Sequence, residues 1–306
     1  MGKRLEQARR AVGKDTDRRL EEIKKLASRI EEIEQSEEEA KKRDELITLL
    51  ASYTGPDEVV PITEVAEEEI QGIPSGWRSI DRLIPGFLPQ QLIVVSGPTG
   101  QGKTLFAQNL IKNLTDASHP CALLSYEMSP TEILWRFKEM GDVPMFYIPK
   151  THRQYDMVWL ETKVVEAIAK YDVEFVFIDH AHYIVDFGDA DNLSAKIGEA
   201  VRALKLIARK YDVGIFLLHH TTKTDTFEAP TLADIRDSSF SAQEADYVFM
   251  LWRVVEKQGK REIMEEGVKY SNMTKVQVAK NRLTGKLGAV TLMFDNFRLY
   301  DLHPEN

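Results

Sequence analysis

Gln91-Leu92-Ile93-Val94-Val95-Ser96, running straight into Gly97-Pro98-Thr99-Gly100-Gln101-Gly102-Lys103-Thr104, is the stretch that decides the fold. An apolar run of this length ended by glycines reads as a buried strand, and Lys103–Leu114 then shows helical spacing. Strand, loop and helix in this order match the pattern G-x-x-x-x-G-K-[ST]. Its backbone N–H groups can curl around a polyphosphate while the helix offers its positive end. Lys103 is expected to reach the β- and γ-phosphates, and Thr104 to place its hydroxyl on Mg2+. The cofactors implied are ATP, or another nucleoside triphosphate, and Mg2+.

Downstream, Cys121–Ser125, Glu174–Ile178 and Gly214–Leu218 are further short runs rich in Val, Ile, Leu and Phe, with helical patterns such as Ser194–Lys210 between them. Buried strands alternating with helices imply an α/β fold, a mainly parallel sheet covered on both faces. Asp246–Trp252 adds a strand. Val276–Lys280 and Ala289–Phe294 read as a hairpin around Thr284–Gly288, an antiparallel edge at the C-terminal side.

Two carboxylates stand at strand ends. Phe175-Val176-Phe177-Ile178-Asp179 places Asp179 where it can hold Mg2+, directly or through water. The next residue is His180 rather than the glutamate that often activates water there, so a base must come from elsewhere. Glu127, in Ser125-Tyr126-Glu127-Met128, is the candidate, because strand C-termini in open α/β sheets converge on one crevice. Its other reading is a helix N-terminal charge for Ser129–Lys138. His219-His220 ends another strand, where a polar side chain can contact the γ-phosphate and pass the signal to the loop that follows. Neighbouring strand residues point to opposite faces, so His219 and His220 are poor joint ligands for one ion.

The chain has 306 residues with 43% hydrophobic and 29% charged, which rules out global disorder. Lys+Arg number 40 against 49 Asp+Glu, a net charge of -9, so binding to nucleic acid by bulk charge is excluded and any such contact must be local. A single cysteine, Cys121, permits no intrachain disulfide and no cysteine zinc site. The charged start and the lack of a long apolar stretch lead to the expectation of no signal peptide, no membrane span and a cytoplasmic location, in a bacterial or phage-infected cell.

Residues 1–52 read as a charged helical arm. Ile23, Leu26, Ile30 and Ile33 form one apolar stripe at 3-4-3 spacing, too short to specify a long coiled coil. The arm is either a solvated helix or an element for oligomerisation or partner docking. Residues 53–71 read as an acidic linker with a possible short helix at Thr63–Gln71, and 72–306 as the nucleotide-binding domain.

Taken together, several short segments resemble the RecA-like motor domain of replicative hexameric helicases of the DnaB and Twinkle group. Gly72-Ile73-Pro74-Ser75-Gly76-Trp77 through Asp81-Arg82-Leu83 resembles the start of that motor. Ser125-Tyr126-Glu127-Met128-Ser129 is similar to its S-x-E-M segment, whose glutamate activates water. Pro230-Thr231-Leu232-Ala233-Asp234-Ile235-Arg236-Asp237-Ser238-Ser239, followed by Gln243-Glu244-Ala245-Asp246, resembles the central DNA-binding loop. Lys280-Asn281-Arg282-Leu283-Thr284-Gly285 resembles the K-x-R segment carrying an arginine finger that acts in trans. The match runs from Gly72 to Leu302.

What the resemblance implies is a DNA helicase that translocates on single-stranded DNA as a ring, reading no base identity. Glu127, Lys103, Arg282, Lys280 and His220 would be catalytic, and Arg236, Asp237, Ser238 and Ser239 would touch DNA. The partners implied are single-stranded DNA, further copies in a hexamer, and a primase or helicase loader, with no membrane. Where the DnaB branch has glutamine at the strand-end sensor, this chain has His220, as in the phage and Twinkle branch. The arm resembles neither the family's N-terminal collar nor a primase. Two other readings stay open on the same residues: a recombination ATPase that forms filaments, and a non-motor nucleotide switch that docks a protein.

Overall fold

The computed structural model describes residues 25, 37–51, 59–65, 70–151, 156–184, 193–221, 229–235, 239–256 and 268–302. The chain divides into two compact units, Met1–Ile70 and Gln71–Asn306. In the first, helix α1 spans Glu37–Ala51 and exposes Ile47 and Leu49. The stripe of Ile23, Leu26, Ile30 and Ile33 lies outside the described residues. Of the possible helix at Thr63–Gln71, residues 66–69 lie outside the described residues. Pro61 starts a single 3-10 turn over Ile62–Glu64, and the β-branched Val65 leaves it in extended conformation.

The second unit is built on one eight-stranded sheet. Its strands are β1 (Leu92–Gly97), β2 (Cys121–Ser125), β3 (Phe175–Asp179), β4 (Gly214–His220), β5 (Tyr247–Val255), β6 (Tyr270–Asn281), β7 (Gly288–Asp295) and β8 (Arg298–Asp301). They lie in the order β2-β3-β4-β1-β5-β6-β7-β8. The first five in that order pair in parallel, and β6, β7 and β8 are antiparallel. The helices are α2 (Arg78–Asp81), α3 (Lys103–Asp116), α4 (Pro130–Glu139), α5 (Met157–Tyr171), α6 (Leu193–Tyr211) and α7 (Ser239–Glu244). This is the expected α/β architecture with its antiparallel C-terminal edge.

Strand alternation sorts the apolar side chains into a core on each face. Ile93 and Val95 of β1, with Phe175 and Phe177 of β3, join Phe106 and Leu110 of α3 on one side. Val176 and Ile178 face the other way, onto Leu160 and Val164 of α5 and Val201 and Leu204 of α6. Phe177 stacks on Phe216 of the adjacent strand at 4.4 Å. Full burial of such a side chain contributes about 1.5–3 kcal/mol.

The C-terminal edge is larger than the sequence indicated. β6 begins at Tyr270, six residues before the expected strand, and β8 is an extra strand. A two-residue turn at Asn296 and Phe297, both with positive φ, reverses β7 into β8. The outer strand is tied to the middle of the unit. Asn109 of α3 donates to the Phe297 carbonyl at 3.0 Å and accepts from the Leu299 N–H at 3.0 Å. Trp77, stacked on Phe106 at 5.0 Å, donates its indole N–H to the Leu299 carbonyl at 2.8 Å.

Candidate nucleotide site

The register aligns the strand ends that carry chemistry. Gly97 pairs with His220, and Ser125 with Asp179, so the exits of β1, β2, β3 and β4 share one rim of the sheet. Gly97 is required there by packing, since a Cβ would lie 2.2 Å from the Leu251 carbonyl oxygen on β5. Gly100 and Gly102 are required by conformation, with φ of +75° and +95°. A Cβ on either would meet nothing within 4 Å, so both glycines face open space. Gln101 fixes the loop's far side, accepting from the Arg253 N–H at 2.8 Å and donating to the Tyr270 hydroxyl at 3.1 Å.

Lys103 is buried, and its ammonium donates to the carbonyls of Gly97 and Pro98 at 2.8 and 3.0 Å. A third contact, at 3.0 Å, is His220 Nδ1. Burial pulls the lysine down to about 8 against the pull of Asp179 and Glu127, so it is still largely charged at neutral pH. Thr104 donates its hydroxyl to Asp179 at 2.9 Å. Asp179 is buried, and burial, helped by the Glu127 charge, pushes it up to about 6. A buried carboxylate beside a hydroxyl is an all-oxygen donor pair that a bound hard cation would relieve of its desolvation cost, so both residues fit Mg2+.

Glu127 is placed by the turn that leaves β2. The Tyr126 N–H donates to the Asp179 carbonyl at 2.7 Å, and the Met128 N–H to Ser125 Oγ at 3.2 Å. The helix that follows has its own cap: Ser129 and Glu132 form a capping box, with Pro130 in the first turn. The acidic charge at that helix start is Glu132, which frees Glu127 for the crevice.

There Glu127 Oε1 lies 2.9 Å from His180 Nδ1 and 3.4 Å from His220 Nε2. An ammonium can only donate, so the contact from Lys103 makes His220 Nδ1 an acceptor and leaves the proton on Nε2, facing Glu127. The two imidazoles, through their close polar contacts first and charge second, hold the Glu127 carboxyl far below the usual carboxylate range. For His220 itself the bond to Glu127 pulls upward. Burial and the nearby Lys103 and His180 outweigh it, and the ring is biased towards neutral. The ligand-type atoms of Glu127, His180 and His220 lie within 4.8 Å of one another. Of the two imidazoles only His220 meets the carboxylate in hydrogen-bond geometry, and its other nitrogen faces Lys103; His180 Nδ1 approaches the same oxygen off the line of a hydrogen bond. Sequence reasoning gave His180 no role; the only signal was its place directly after Asp179. His219 is buried away from this crevice and its Nδ1 lies 2.8 Å from the His220 carbonyl.

Arg282 and Lys280 stand at the other rim. Ile93, near the start of β1, pairs with Tyr247, which pairs with Asn281. Four residues of strand, about 13 Å, separate that row from Gly97. The Lys280 ammonium donates to the carbonyls of Ala242 and Gln243 at 2.7 and 2.8 Å, at the end of α7. Arg282 is more than half exposed beside Asp246. Within one chain, then, neither cation joins Lys103 and Glu127. Of the DNA-loop residues, Arg236, Asp237 and Ser238 lie outside the described residues, and Ser239 is described only as the first residue of α7. The segment before them is anchored by Ile235, which is buried and bridged to Thr221, one residue beyond His220. Among the described residues no helix is long and apolar enough to cross a membrane.

The family described as DnaB-like helicase C terminal domain matches residues 72–141 and 136–299. Replicative DNA helicase DnaB of Geobacillus stearothermophilus is 26% identical over 261 residues, covering 74% of this chain and 55% of that protein. Replicative DNA helicase DnaC of Bacillus subtilis (strain 168) is 26% identical over 259 residues, with the same two coverages. The chain therefore spans about half the length of the curated relatives it matches. Two solved structures share the fold. One is a DnaB-like replicative helicase studied for its interactions with primase: TM-score 0.63, 22% identity, 92% of this chain and 76% of that one. The other is an ATPase domain: TM-score 0.62, 21% identity, 85% of this chain and 98% of that one.

Proposed function

The chain belongs to the DnaB-like helicase C-terminal domain family, and from that premise we propose that it is the motor of an ATP-dependent replicative DNA helicase. The motor is a hexameric ring on single-stranded DNA, with ATP hydrolysed at the interfaces between copies. The observation that carries the reading is the separation of the two cation sets. Lys103 sits at one rim of the sheet and Arg282 at the other, so a pocket that uses both draws them from different copies.

In this mechanism Lys103 leaves its three contacts for the β- and γ-phosphates, and its departure frees His220 Nδ1 to meet the γ-phosphate. Thr104 and Asp179 would hold Mg2+, which would supply neutralisation of the phosphate charge. Glu127, ionised, accepts a proton from the attacking water as its oxygen bonds the γ-phosphorus and the bond to the ADP oxygen breaks. Arg282 of the adjoining copy stabilises the charge that develops, with Lys280 beside it on the same hairpin. The bridge from Thr221 to Ile235 links the His220 strand to the loop of Arg236, Asp237, Ser238 and Ser239, which follows the DNA backbone without reading bases. A primase or helicase loader is the accompanying protein partner.

The test is turnover and assembly together. Oligo-dT should stimulate ATP hydrolysis severalfold, and electron microscopy with a non-hydrolysable ATP analogue and oligo-dT should show closed six-membered rings. Helical filaments would favour a recombination ATPase. Turnover indifferent to oligo-dT would point to a nucleotide switch.

A further inference from the structure

A separate cleft flanks β2, the last strand at its side of the sheet. Tyr147 prolongs the sheet there by one residue, in a parallel bridge to Ala122. The Leu123 N–H donates to the Tyr147 carbonyl at 2.8 Å, and the Tyr147 N–H to the Cys121 carbonyl at 3.0 Å. The next bond of that ladder needs an N–H at position 149, which is proline, so pairing stops and the chain leaves the strand. A cleft of about 470 Å³ opens between this segment and α5. Ala122 and Leu124 form its floor, with Ala167 across from them on α5. Alanine at two of these three positions leaves the space that a larger side chain would fill. The volume is that of a small-molecule site, for which about 300–1,000 Å³ is usual. No residue of the phosphate loop lines it.

The walls combine charge with aromatic surface. Lys163, Glu166 and Lys170 share one face of α5, and both ammoniums reach the Glu166 carboxylate at 2.5 Å. Lys150 lines the other wall. Three cations against one carboxylate leave a surplus of about two positive charges, in a chain whose net charge is -9. A phosphate monoester carries nearly the same charge with opposite sign at neutral pH. Beside the lysines, Tyr147 and Tyr171 stack at 4.0 Å with their planes 8° apart, and Tyr171 is 46% exposed, so part of its ring surface is open. Ammonium groups next to an open aromatic ring suit a phosphate joined to a base. We propose that this cleft binds a nucleoside 5′-monophosphate unit, with the phosphate on Lys150, Lys163 and Lys170 and the base against Tyr171. An acidic peptide would satisfy the lysines but leave the ring unused. A free nucleotide and the 5′-phosphorylated end of a strand offer the same chemistry. Glu166 gathers two of the ammoniums and also repels the phosphate, which gives the proposal its sign: loss of a lysine weakens binding, and loss of the Glu166 charge strengthens it.

The test titrates AMP carrying a fluorescent ribose label into the full chain, with excess Mg2+ and a non-hydrolysable ATP analogue filling the phosphate loop. The expected result is saturable binding of one AMP per chain that more ATP analogue does not displace. Lys163→Met and Lys170→Met should each weaken it about fivefold or more, and Glu166→Gln should tighten it severalfold. Tyr171→Leu should weaken it by a similar factor through the lost ring. Should that variant fail to fold, the lysine and glutamate forms decide alone, since all three positions are part-exposed and their melting temperatures should stay near wild type. Unlabelled AMP and 5′-phosphorylated oligo-dT then compete for the site: stronger displacement by AMP assigns it to free nucleotide, stronger displacement by the oligonucleotide to a strand end. No binding, displacement by the ATP analogue, affinity indifferent to both lysines, or weaker binding in Glu166→Gln each overturns the proposal.

Discussion

The main-chain carbonyl of Asp246 accepts the N–H of Arg282 at 2.8 Å, and its carboxylate lies 3.5 Å from the guanidinium of the same arginine. The hairpin end that presents Arg282 is thus held at two points. Asn281 secures the turn beyond it, bonding Thr284 Oγ1 at 2.6 Å and the Lys286 carbonyl at 3.1 Å. With 56% of its side chain exposed, Arg282 contributes little to folding. Arg282→Ala should leave the melting temperature and ATP affinity near wild type, and lower kcat by about 10³. Mixing the variant into wild-type assemblies should suppress turnover beyond its mole fraction; strict proportionality would mean that each copy works alone.

Asp246 also carries structural weight. It takes the ammonium of the buried Lys205 and, at 2.8 Å, the N–H of Leu92 at the start of β1. Asp246→Ala leaves Lys205 buried without its counter-charge, and a loss of about 3–5 kcal/mol is expected in urea unfolding. Asp246→Asn can still accept from Leu92 and should lose less. An alanine form as stable as wild type would show Lys205 to be solvated.

Asp179 answers to pH in the sense opposite to most carboxylates. Its folded value of about 6 is above the ordinary 3.8, so the folded state binds its proton more tightly than the unfolded state does. That contribution favours folding below about pH 4 and is lost as pH rises through about 6. Asp179→Asn, measured without nucleotide, should therefore stabilise the chain at pH 7.5 by about 3 kcal/mol, with the gain vanishing near pH 4. Mg2+-dependent hydrolysis should fall away in the same variant. A destabilised asparagine form at pH 7.5 would contradict the direction.

The loop glycines should divide by cause. Gly97→Ala drives a methyl into the Leu251 carbonyl and should lower the melting temperature markedly. Gly100→Ala and Gly102→Ala meet no atom, so each should cost only the left-handed conformation, about 1–2 kcal/mol, yet weaken ATP binding by more than tenfold. Equal stability losses at all three positions would remove the distinction.

Much of this was legible in the chain. The strands from Leu92 to His220 announced themselves because they are buried on both faces and unbroken by polar residues, and Gly97–Thr104 is a contiguous pattern. β8 was hidden because its turn, Asn296-Phe297, lacks the glycine that usually marks two positive φ values. The long start of β6 was hidden by its polar alternation, Tyr270-Ser271-Asn272-Met273, half-exposed on an antiparallel strand. The approach of His180 to Glu127 depends on β2 lying beside β3 in one particular register, and no local spacing carries that information. That the carbonyl end of α7 holds the Lys280 ammonium within the chain is likewise a tertiary contact that the strand periodicity shared with Arg282 does not carry.

Asn109 grips β8 with both ends of its amide from a helix whose first residue is Lys103. The outermost strand is therefore tied to the helix that opens with the loop lysine, and a tilt of that helix would have to break these bonds or carry the strand along. Trp77, clamped to Leu299, extends the same tie back to the opening residues of the unit.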